Sequence, residues 1–296
     1  MAARLWAFVL AARLLAAAAA AWTGATYGIS IGAAVALGVA VWAAMPAAVL
    51  AAALLAAGPG LRSRADTGRL RIWCAEALRL EPVLLEMAAE PLLARLERVE
   101  GSEREPTPQV VLVHGIACNR AVWRPLIAAL HAAGIARVHA VNLEPLFADI
   151  DTHARELLAG LEALGVCAAR PVAIVANSMG GLVARAALQQ ARAGTISRII
   201  TIGTPHHGTR IACAFGWRST RQMCCGSEWL LELNARQEGR FGLPVTSLYS
   251  LDDNLIFPAG SGFVRGARSI AVHGLGHLGL LRAPQVLQRI VSELRS

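Results

Sequence analysis

The sequence contains no lysine, and aromatic residues make up only 5% of its 296 residues. Its formal charge of +8 therefore comes wholly from arginine. The arginines are spread along the chain, and no basic stripe with interleaved aromatic residues is present, as a nucleic-acid surface would require. We therefore expect no nucleic-acid partner. Arginines beside an apolar segment favour anionic lipid headgroups instead.

Cysteine is also scarce, with six residues in the chain. Their positions have neither the spacing of a metal site nor the density of a disulfide scaffold, so we interpret them as small core residues and expect no bound metal. A redox-active Cys224–Cys225 pair is the less favoured alternative, because neighbouring cysteines rarely form a bond without strain.

Acidic residues are lacking in the first part of the chain, and nearly all of them come after Ala65. That part contains two apolar runs, Leu5 to Trp22 and Ile29 to Ala57. A spanning helix needs about 20 apolar residues, so the pattern predicts a transmembrane helical hairpin within residues 1–62. Arg13 makes membrane insertion of the first run less favourable, because a guanidinium near mid-bilayer costs about 2.5–3.5 kcal/mol. A cleaved signal peptide is the alternative for that run, and the second run would remain as an anchor.

The arginines around the second run predict an orientation. Several follow the run, whereas the connector Thr23 to Tyr27 has none. The positive-inside rule then places the carboxy-terminal domain in the cytoplasm, with the chain in a bacterial inner membrane. The arginines concerned are Arg62, Arg64, Arg69 and Arg71.

Residues 63–108 are expected to connect the anchor to the carboxy-terminal domain. An apolar stripe with spacings of three and four predicts a helix, and this stripe either packs on the domain or lies on lipid. Pro82 and Pro91 are expected to divide the region into short helices, and Glu100 to Pro108 is interpreted as a polar linker. The stripe consists of Trp73, Ala77, Leu80, Leu84 and Met87.

Residues 109–296 alternate β-rich runs with helical runs, which predicts an α/β domain with a mostly parallel sheet flanked by helices. Most of the strand candidates are continuous apolar runs, as expected where helices bury both faces of a sheet. The candidates are Val110 to Val113, Arg137 to Val141, Val172 to Ala176, Arg198 to Ile202, Val245 to Tyr249 and Ser269 to Val272.

Ser178 follows a buried strand and precedes a helical run from Leu182 to Gln190. A nucleophilic serine occupies such a strand-to-helix turn, where small residues two before and two after it let the backbone bend sharply. Ala176 and Gly180 occupy these positions, so the pattern departs from G-x-S-x-G by one methyl group. The alternative is an ordinary serine at a helix N-terminus.

A nucleophilic serine also needs donors for the oxyanion that forms on attack. The backbone N–H of Met179 is one expected donor. The second is the N–H of Ile116, in the turn after the first strand of the domain. His114 would then support this loop or bind substrate, and its alternative is a plain histidine at a strand end.

The base and its carboxylate should follow the serine in the order acid, then histidine. Asp252 and Asp253 are the only aspartates after Ser178. The histidines that remain after them are His273 and His277.

Five ordered segments resemble those of bacterial triacylglycerol lipases and related esterases, from about residue 109 to the carboxy terminus. The resemblance implies the α/β-hydrolase fold, with Asp253 as the acid and His277 as the base; Asp252 and His273 are the respective alternatives. It also implies that His206 shapes the acyl pocket. The segments are His114-Gly-Ile, Ala-Asn-Ser178-Met-Gly-Gly, Gly203-Thr-Pro-His-His-Gly-Thr209, Tyr249-Ser-Leu-Asp-Asp-Asn-Leu-Ile-Phe-Pro258 and Gly276-His-Leu-Gly-Leu-Leu281.

Residues 210–244 form an insertion that is too long for a simple connector. Its aromatic residues, Trp217 and Trp229 among them, suit a lid or the wall of an acyl-chain pocket. A helical excursion packed on the core is the alternative. Relatives often carry Arg-Pro where this chain has Cys224-Cys225.

The resemblance therefore implies a serine hydrolase that cleaves carboxylic esters, with lipid or acyl esters favoured by the membrane anchor. Acyl transfer and thioester cleavage would use the same residues. A membrane-anchored binding module without catalysis is the alternative from another class. The expected reaction needs no metal or organic cofactor, and the sequence carries no signal for an oligomeric state.

Overall fold

A computed structural model describes residues 1–56, 67–96 and 109–296 of the chain. The amino-terminal part is helical. Its helices are α1 (Ala2–Thr26), α2 (Ile31–Ala56), α3 (Thr67–Ala88) and α4 (Glu90–Leu96). The predicted linker from Glu100 to Pro108 and the predicted orientation signals Arg62 and Arg64 lie outside the described residues.

The carboxy-terminal part contains one six-stranded sheet in the order β2-β1-β3-β4-β5-β6, and every neighbouring pair is parallel. All six strand predictions are confirmed within two residues, because buried apolar runs in a covered parallel sheet are long and unmistakable. The strands are β1 (Gln109–Val113), β2 (Val138–Val141), β3 (Val172–Asn177), β4 (Ile196–Ile202), β5 (Val245–Ser250) and β6 (Arg268–Val272).

Helices cover both faces of this sheet. Val111 and Ile174 belong to the apolar cluster on one face, whereas Leu112 and Val175 belong to the cluster on the other. This alternation follows from the two-residue period of a strand. The α/β prediction is therefore confirmed. The helices are α5 (Arg124–Ala132), α6 (Ile150–Ala163), α7 (Met179–Gln190), α8 (Arg218–Met223), α9 (Glu228–Gln237) and α10 (Pro284–Arg295).

Helix α3 packs on the carboxy-terminal part. Its residues Val83, Leu84 and Met87 are buried in the same cluster as Leu112 and Val175. The prediction that Pro82 divides this helix is wrong, since α3 continues through it. Pro91 does start a new helix, where a first-turn proline loses no intrahelical hydrogen bond.

Helix α1 is long and apolar enough to cross a membrane, by length and composition alone. It packs along α2, and its Leu10 joins the cluster that contains the α3 residues. Arg13 is buried and forms an ion pair with Glu81 of α3, while its Nη2 also donates to the carbonyl of Trp42. The guanidinium that weakens the first apolar run thus has partners inside the protein.

The segment of residues 210–244 contains α8, α9 and a 3-10 turn at Arg210–Ala214. A disulfide joins Cys213 to Cys224, across a sequence separation of 11 residues. The interpretation of the cysteines as mostly small core residues is therefore wrong, since two form this disulfide and Cys74 and Cys167 are exposed. Both disulfide cysteines lie at the ends of short turns that fold back on each other, which the spacing alone did not reveal.

Candidate active site

Ser178 lies in the turn between β3 and α7 with φ +53° and ψ −125°. A residue other than glycine in this positive-φ region is strained, and such strain concentrates at functional sites. The Ser178 N–H donates to the carbonyl of Ile202 at the end of β4, over 2.9 Å. The serine is therefore held at the carboxyl edge of the sheet, between two central strands.

Small residues make this sharp turn possible. A Cβ atom on Gly180 would lie 2.5 Å from the carbonyl oxygens of Val113 and His114, at the end of β1. A Cβ atom on Gly115 would lie 2.9 Å from the Ser178 Cβ. The first turn of α7 thus packs directly on the end of β1, and Ala176 is accommodated with its methyl group fully buried.

Asp253 and His277 form a buried pair in which His277 Nδ1 and Asp253 Oδ2 are 2.8 Å apart. The other carboxylate oxygen, Oδ1, accepts the backbone N–H groups of Leu255 and Ile256. Burial lowers the pKa of His277, but the charge and hydrogen bond of Asp253, together with the charge of Glu76, raise it above its ordinary value. The contact with the carboxylate occupies Nδ1 and leaves Nε2 outside the pair.

The Asp253–His277 pair excludes from this contact the two alternatives that the sequence offered, Asp252 and His273. Asp252 instead accepts the backbone N–H of Gly274 over 2.8 Å. His273 is exposed just beyond β6. Neither therefore takes part in the buried pair.

The imidazole lies beside the strand end that holds Ser178. A Cβ atom on Gly203 would lie 3.2 Å from both Cε1 and Nδ1 of His277, and Gly203 follows Ile202, whose carbonyl binds the Ser178 N–H. Within the described ranges no hydrogen bond joins the Ser178 hydroxyl to the ring. Such bonds are often long in free enzymes and tighten when substrate binds.

The backbone N–H groups of Ile116 and Met179 belong to residues next to the serine: Ile116 lines the same cavity as Ser178, and Met179 directly follows it. Met179 is the first residue of α7, so its N–H has no intrahelical partner. Neither N–H donates to another residue in the part of the chain that the structure describes. Both remain candidates for holding an oxyanion.

His114 supports the loop that carries Ile116. Its Nδ1 lies 2.8 Å from the Gly115 carbonyl, and its Nε2 accepts the Leu143 N–H over 3.0 Å. Burial lowers the pKa of His114 to about 4, which keeps the ring neutral. Its Nδ1 therefore carries the proton and donates to the carbonyl.

An apolar cavity of about 430 Å³ begins at Ser178. Ile116 lines it near the serine, and side chains from residues 210–223 and from the loop after β5 form its walls. Phe215 and Trp217 stack with ring centroids 5.3 Å apart, and Trp217 also stacks on Phe147 at 4.2 Å. An apolar cavity lined by a serine suits an acyl chain.

Of the predicted substrate-binding residues, only Trp217 lines this cavity. His114 is buried in the loop contacts described above. His206 is also buried, and it contacts Thr201 and Arg185. Burial and the charge of Arg185 lower the pKa of His206 well below its ordinary value, so it is neutral.

Trp229 donates its ring N–H to Asp151 over 2.8 Å and packs against the core. It therefore fixes α9 to α6 rather than lining the cavity. His114, His206 and Trp229 thus lie outside the lining of the cavity, contrary to their prediction as substrate-binding residues.

Two residues that contact the His277 loop were missed by sequence reasoning. Asn254 accepts the backbone N–H of His277 over 2.9 Å. Glu76 of α3 accepts the N–H groups of the next two residues. The available signal for Glu76 was its place three residues after Trp73, on the otherwise apolar face of the helix.

Comparison with protein families matches residues 110–268 to the alpha/beta hydrolase family. Comparison with curated proteins gave no match. Among solved structures, the chain is similar to the mature form of the Bacillus licheniformis lipase BlEst2, with 17% identity and a TM-score of 0.58 over 66% of this chain and 96% of that chain. It is also similar to Aspergillus fumigatus lipase B, with 20% identity and a TM-score of 0.56 over 65% and 54% of the two chains. At such identities the likeness shows the fold, and it confirms the expected α/β-hydrolase fold.

Proposed function

We propose that this chain, which belongs to the alpha/beta hydrolase family, is a serine hydrolase that cleaves carboxylic esters through an acyl-enzyme on Ser178. The observation that carries this proposal is the strained Ser178 turn at the end of an apolar cavity, beside the buried Asp253–His277 pair. A serine followed along the chain by a carboxylate and then by an imidazole that can accept a proton is the set of groups that acyl transfer needs in this fold.

The geometry supports the following proposed roles. His277 takes the proton of the Ser178 hydroxyl as the oxygen attacks the ester carbonyl, and Asp253 stabilises the imidazolium that forms. The N–H groups of Ile116 and Met179 hold the oxyanion. His277 then returns the proton to the leaving alcohol, and water releases the acyl group by the same steps in reverse order.

We propose an ester with an apolar acyl chain as the substrate. A cavity of about 430 Å³ with apolar walls accommodates such a chain, whereas a charged or strongly polar acyl group would lose its hydration there. The similar solved structures include lipases, which is consistent with this choice.

We propose that residues 1–62 anchor the enzyme in a membrane, that residues 63–108 connect the anchor to the site, and that residues 109–296 form the catalytic domain. Support comes from the apolar α1 and from its exposed large side chains, such as Phe8, Leu15 and Trp22. The Arg13–Glu81 ion pair lowers the cost of keeping a guanidinium in an apolar helix. A substrate that resides in the bilayer would then reach the cavity without crossing water.

Two observations bear on the side of the membrane, and they oppose each other. The arginines after the second apolar run favour a cytoplasmic catalytic domain, as predicted from the sequence. The Cys213–Cys224 disulfide favours an oxidising compartment, because cytosolic thiols are kept reduced. Alkylation of thiols in intact cells before lysis decides between them: Cys213 and Cys224 react on the cytoplasmic side and are protected on the other.

The proposal is tested with a fluorophosphonate probe and a soluble p-nitrophenyl ester, using Ser178→Ala and the exposed Ser292→Ala as a matched control. We expect labelling and most hydrolysis to disappear in S178A and to persist in S292A. Equal labelling of S178A and the parent would refute the assignment. An unlabelled, inactive parent would favour the binding module, and transfer of the acyl group to an added alcohol in preference to water would favour an acyltransferase.

A further inference from the structure

The loop that carries His277 is held by a carboxylate from outside the segment that matches the hydrolase family. Glu76 lies on α3, and its Oε2 accepts the backbone N–H of Leu278 over 2.6 Å. Its Oε1 accepts the N–H of Gly279 over 2.9 Å. These are the two residues that directly follow His277, so the carboxylate fixes the backbone on which the base is mounted.

The loop is shaped around this side chain. Glu76 is 3% exposed, and a Cβ atom on Gly276 would collide with its Cγ and Cδ atoms. A Cβ atom on Gly279 would lie 3.0 Å from Oε1. The backbone on both sides of His277 therefore approaches Glu76 as closely as glycine allows, which fixes its distance from α3.

The contacts are those of an ionised carboxylate. Both oxygens accept hydrogen bonds, and Arg79 Nη1 donates to Oε1 over 3.0 Å. Burial raises the pKa of the Glu76 carboxyl above its ordinary value, and the two backbone hydrogen bonds and the charges of Arg79 and His277 offset this only in part. Burying a carboxylate costs desolvation free energy, and here the two backbone N–H groups and the Arg79 side chain compensate for it.

We propose that Glu76 is a positioning residue for ester hydrolysis, which fixes the His277 loop and adds a second negative charge behind the imidazole. This inference rests on the proposed roles of Ser178, Asp253 and His277. It places α3 within the catalytic unit, whereas the sequence pattern assigned that helix to a connector.

The charge of Glu76 gives the proposal a signature beyond stability. The charged groups that face His277 are Asp253 from the loop after β5 and Glu76 from α3, with Arg79 next to Glu76. Asp252 binds the backbone at Gly274 in the same loop. A negative charge stabilises the imidazolium, so removal of the Glu76 charge lowers the pKa of His277. The base must be neutral to act, and the acid limb of the pH profile therefore moves to lower pH.

The test compares the full-length parent with Glu76→Gln, which keeps the shape of the side chain and removes its charge. The readout is kcat/KM for a soluble p-nitrophenyl ester as a function of pH, with thermal unfolding measured alongside. We expect kcat/KM at its optimum to fall by about 10- to 100-fold, because the base is less accurately placed. We also expect the acid limb to move to lower pH.

Glu86→Gln is the matched control, since Glu86 lies on the same helix and pairs with the Arg282 side chain without touching the His277 backbone. It should keep the parent pH profile. Glu76→Asp retains the negative charge on a shorter side chain. We expect its kcat to be several-fold lower than that of the parent, while the midpoint of its acid limb stays at the parent pH.

A folded Glu76→Gln protein with the parent acid midpoint would overturn the proposal, whatever its rate. If that variant does not fold, a Glu76→Asp protein with the parent kcat would overturn it. Ser178-dependent hydrolysis by the parent separates the two proposals: without it the proposed function fails, and with it only the role of Glu76 is in question.

Discussion

Gly180→Ala should disable the site while leaving the rest of the fold in place. The added Cβ atom would lie 2.5 Å from the carbonyl oxygens of Val113 and His114, whereas carbon and oxygen normally approach to about 3.3 Å. The first turn of α7 must therefore move by about 1 Å from the end of β1. Ser178 and the Met179 N–H move with it.

The expected loss follows from this displacement. A shift of about 1 Å in a reacting group costs about 10²-fold in rate, so kcat/KM should fall by at least that factor. Stability should fall as well, because the collision is with backbone atoms, and the preference of a helix for alanine over glycine, up to about 1 kcal/mol, offsets only part of it; thermal unfolding is therefore measured alongside. The assay is p-nitrophenyl ester hydrolysis together with the rate of fluorophosphonate labelling.

Gly160→Ala provides the matched control, since Gly160 lies inside α6 and a Cβ atom there would meet no other atom within 4 Å. It should keep the parent kcat/KM and gain up to about 1 kcal/mol of stability. A Gly180→Ala protein with kcat/KM within about twofold of the parent would refute the close packing of the turn on β1 and its role in placing the serine.

Two other perturbations separate the base from the substrate pocket. Because the pKa of His277 is raised, kcat/KM should fall as the pH decreases through a midpoint above that of an ordinary histidine. Asp253→Asn should lower this midpoint and reduce kcat by about 10⁴-fold. A parent-like pH profile in that variant would exclude Asp253 as the partner of His277. Trp217→Ala removes an apolar wall of the cavity, so kcat/KM for a long-chain ester should fall by about 10- to 100-fold while that for an acetate ester changes little. Phe263→Ala, at an exposed position outside the cavity, should leave both values unchanged, and an equal loss on the two esters in Trp217→Ala would argue against an acyl-chain wall.

The sheet and the Ser178 turn could be predicted because their signals are local. A buried apolar run followed by Asn-Ser-Met-Gly-Gly specifies a strand, a sharp turn and a helix within a dozen residues, and β3, Ser178 and α7 follow it. The helical stripe on α3 could be predicted for the same reason. Pro82 was misjudged because packing against the core outweighs the helix-breaking effect of one proline at that position.

The partners of the base could not be predicted in the same way. Chain order left Asp252 and Asp253 as candidates for the acid, and the family resemblance favoured Asp253. In the structure the loop after β5 directs Asp253 to His277, whereas Asp252 accepts the Gly274 N–H. The Cys213–Cys224 disulfide likewise depends on how two short turns fold back on each other. A change of one residue in the length of such a loop changes which side chain points inward. The amino-acid composition of the loop does not predict this direction.

Sequence alone thus determined the order of strands and helices, the turn that carries the serine and the apolar character of the amino-terminal segment, because each depends on the pattern of neighbouring residues. Tertiary structure decided which groups meet. Glu76 lies 202 positions before Leu278, whose N–H it accepts, and Asp253 lies 24 positions before His277. Such contacts depend on the packing of whole helices and loops against the sheet, and no local pattern encodes that packing.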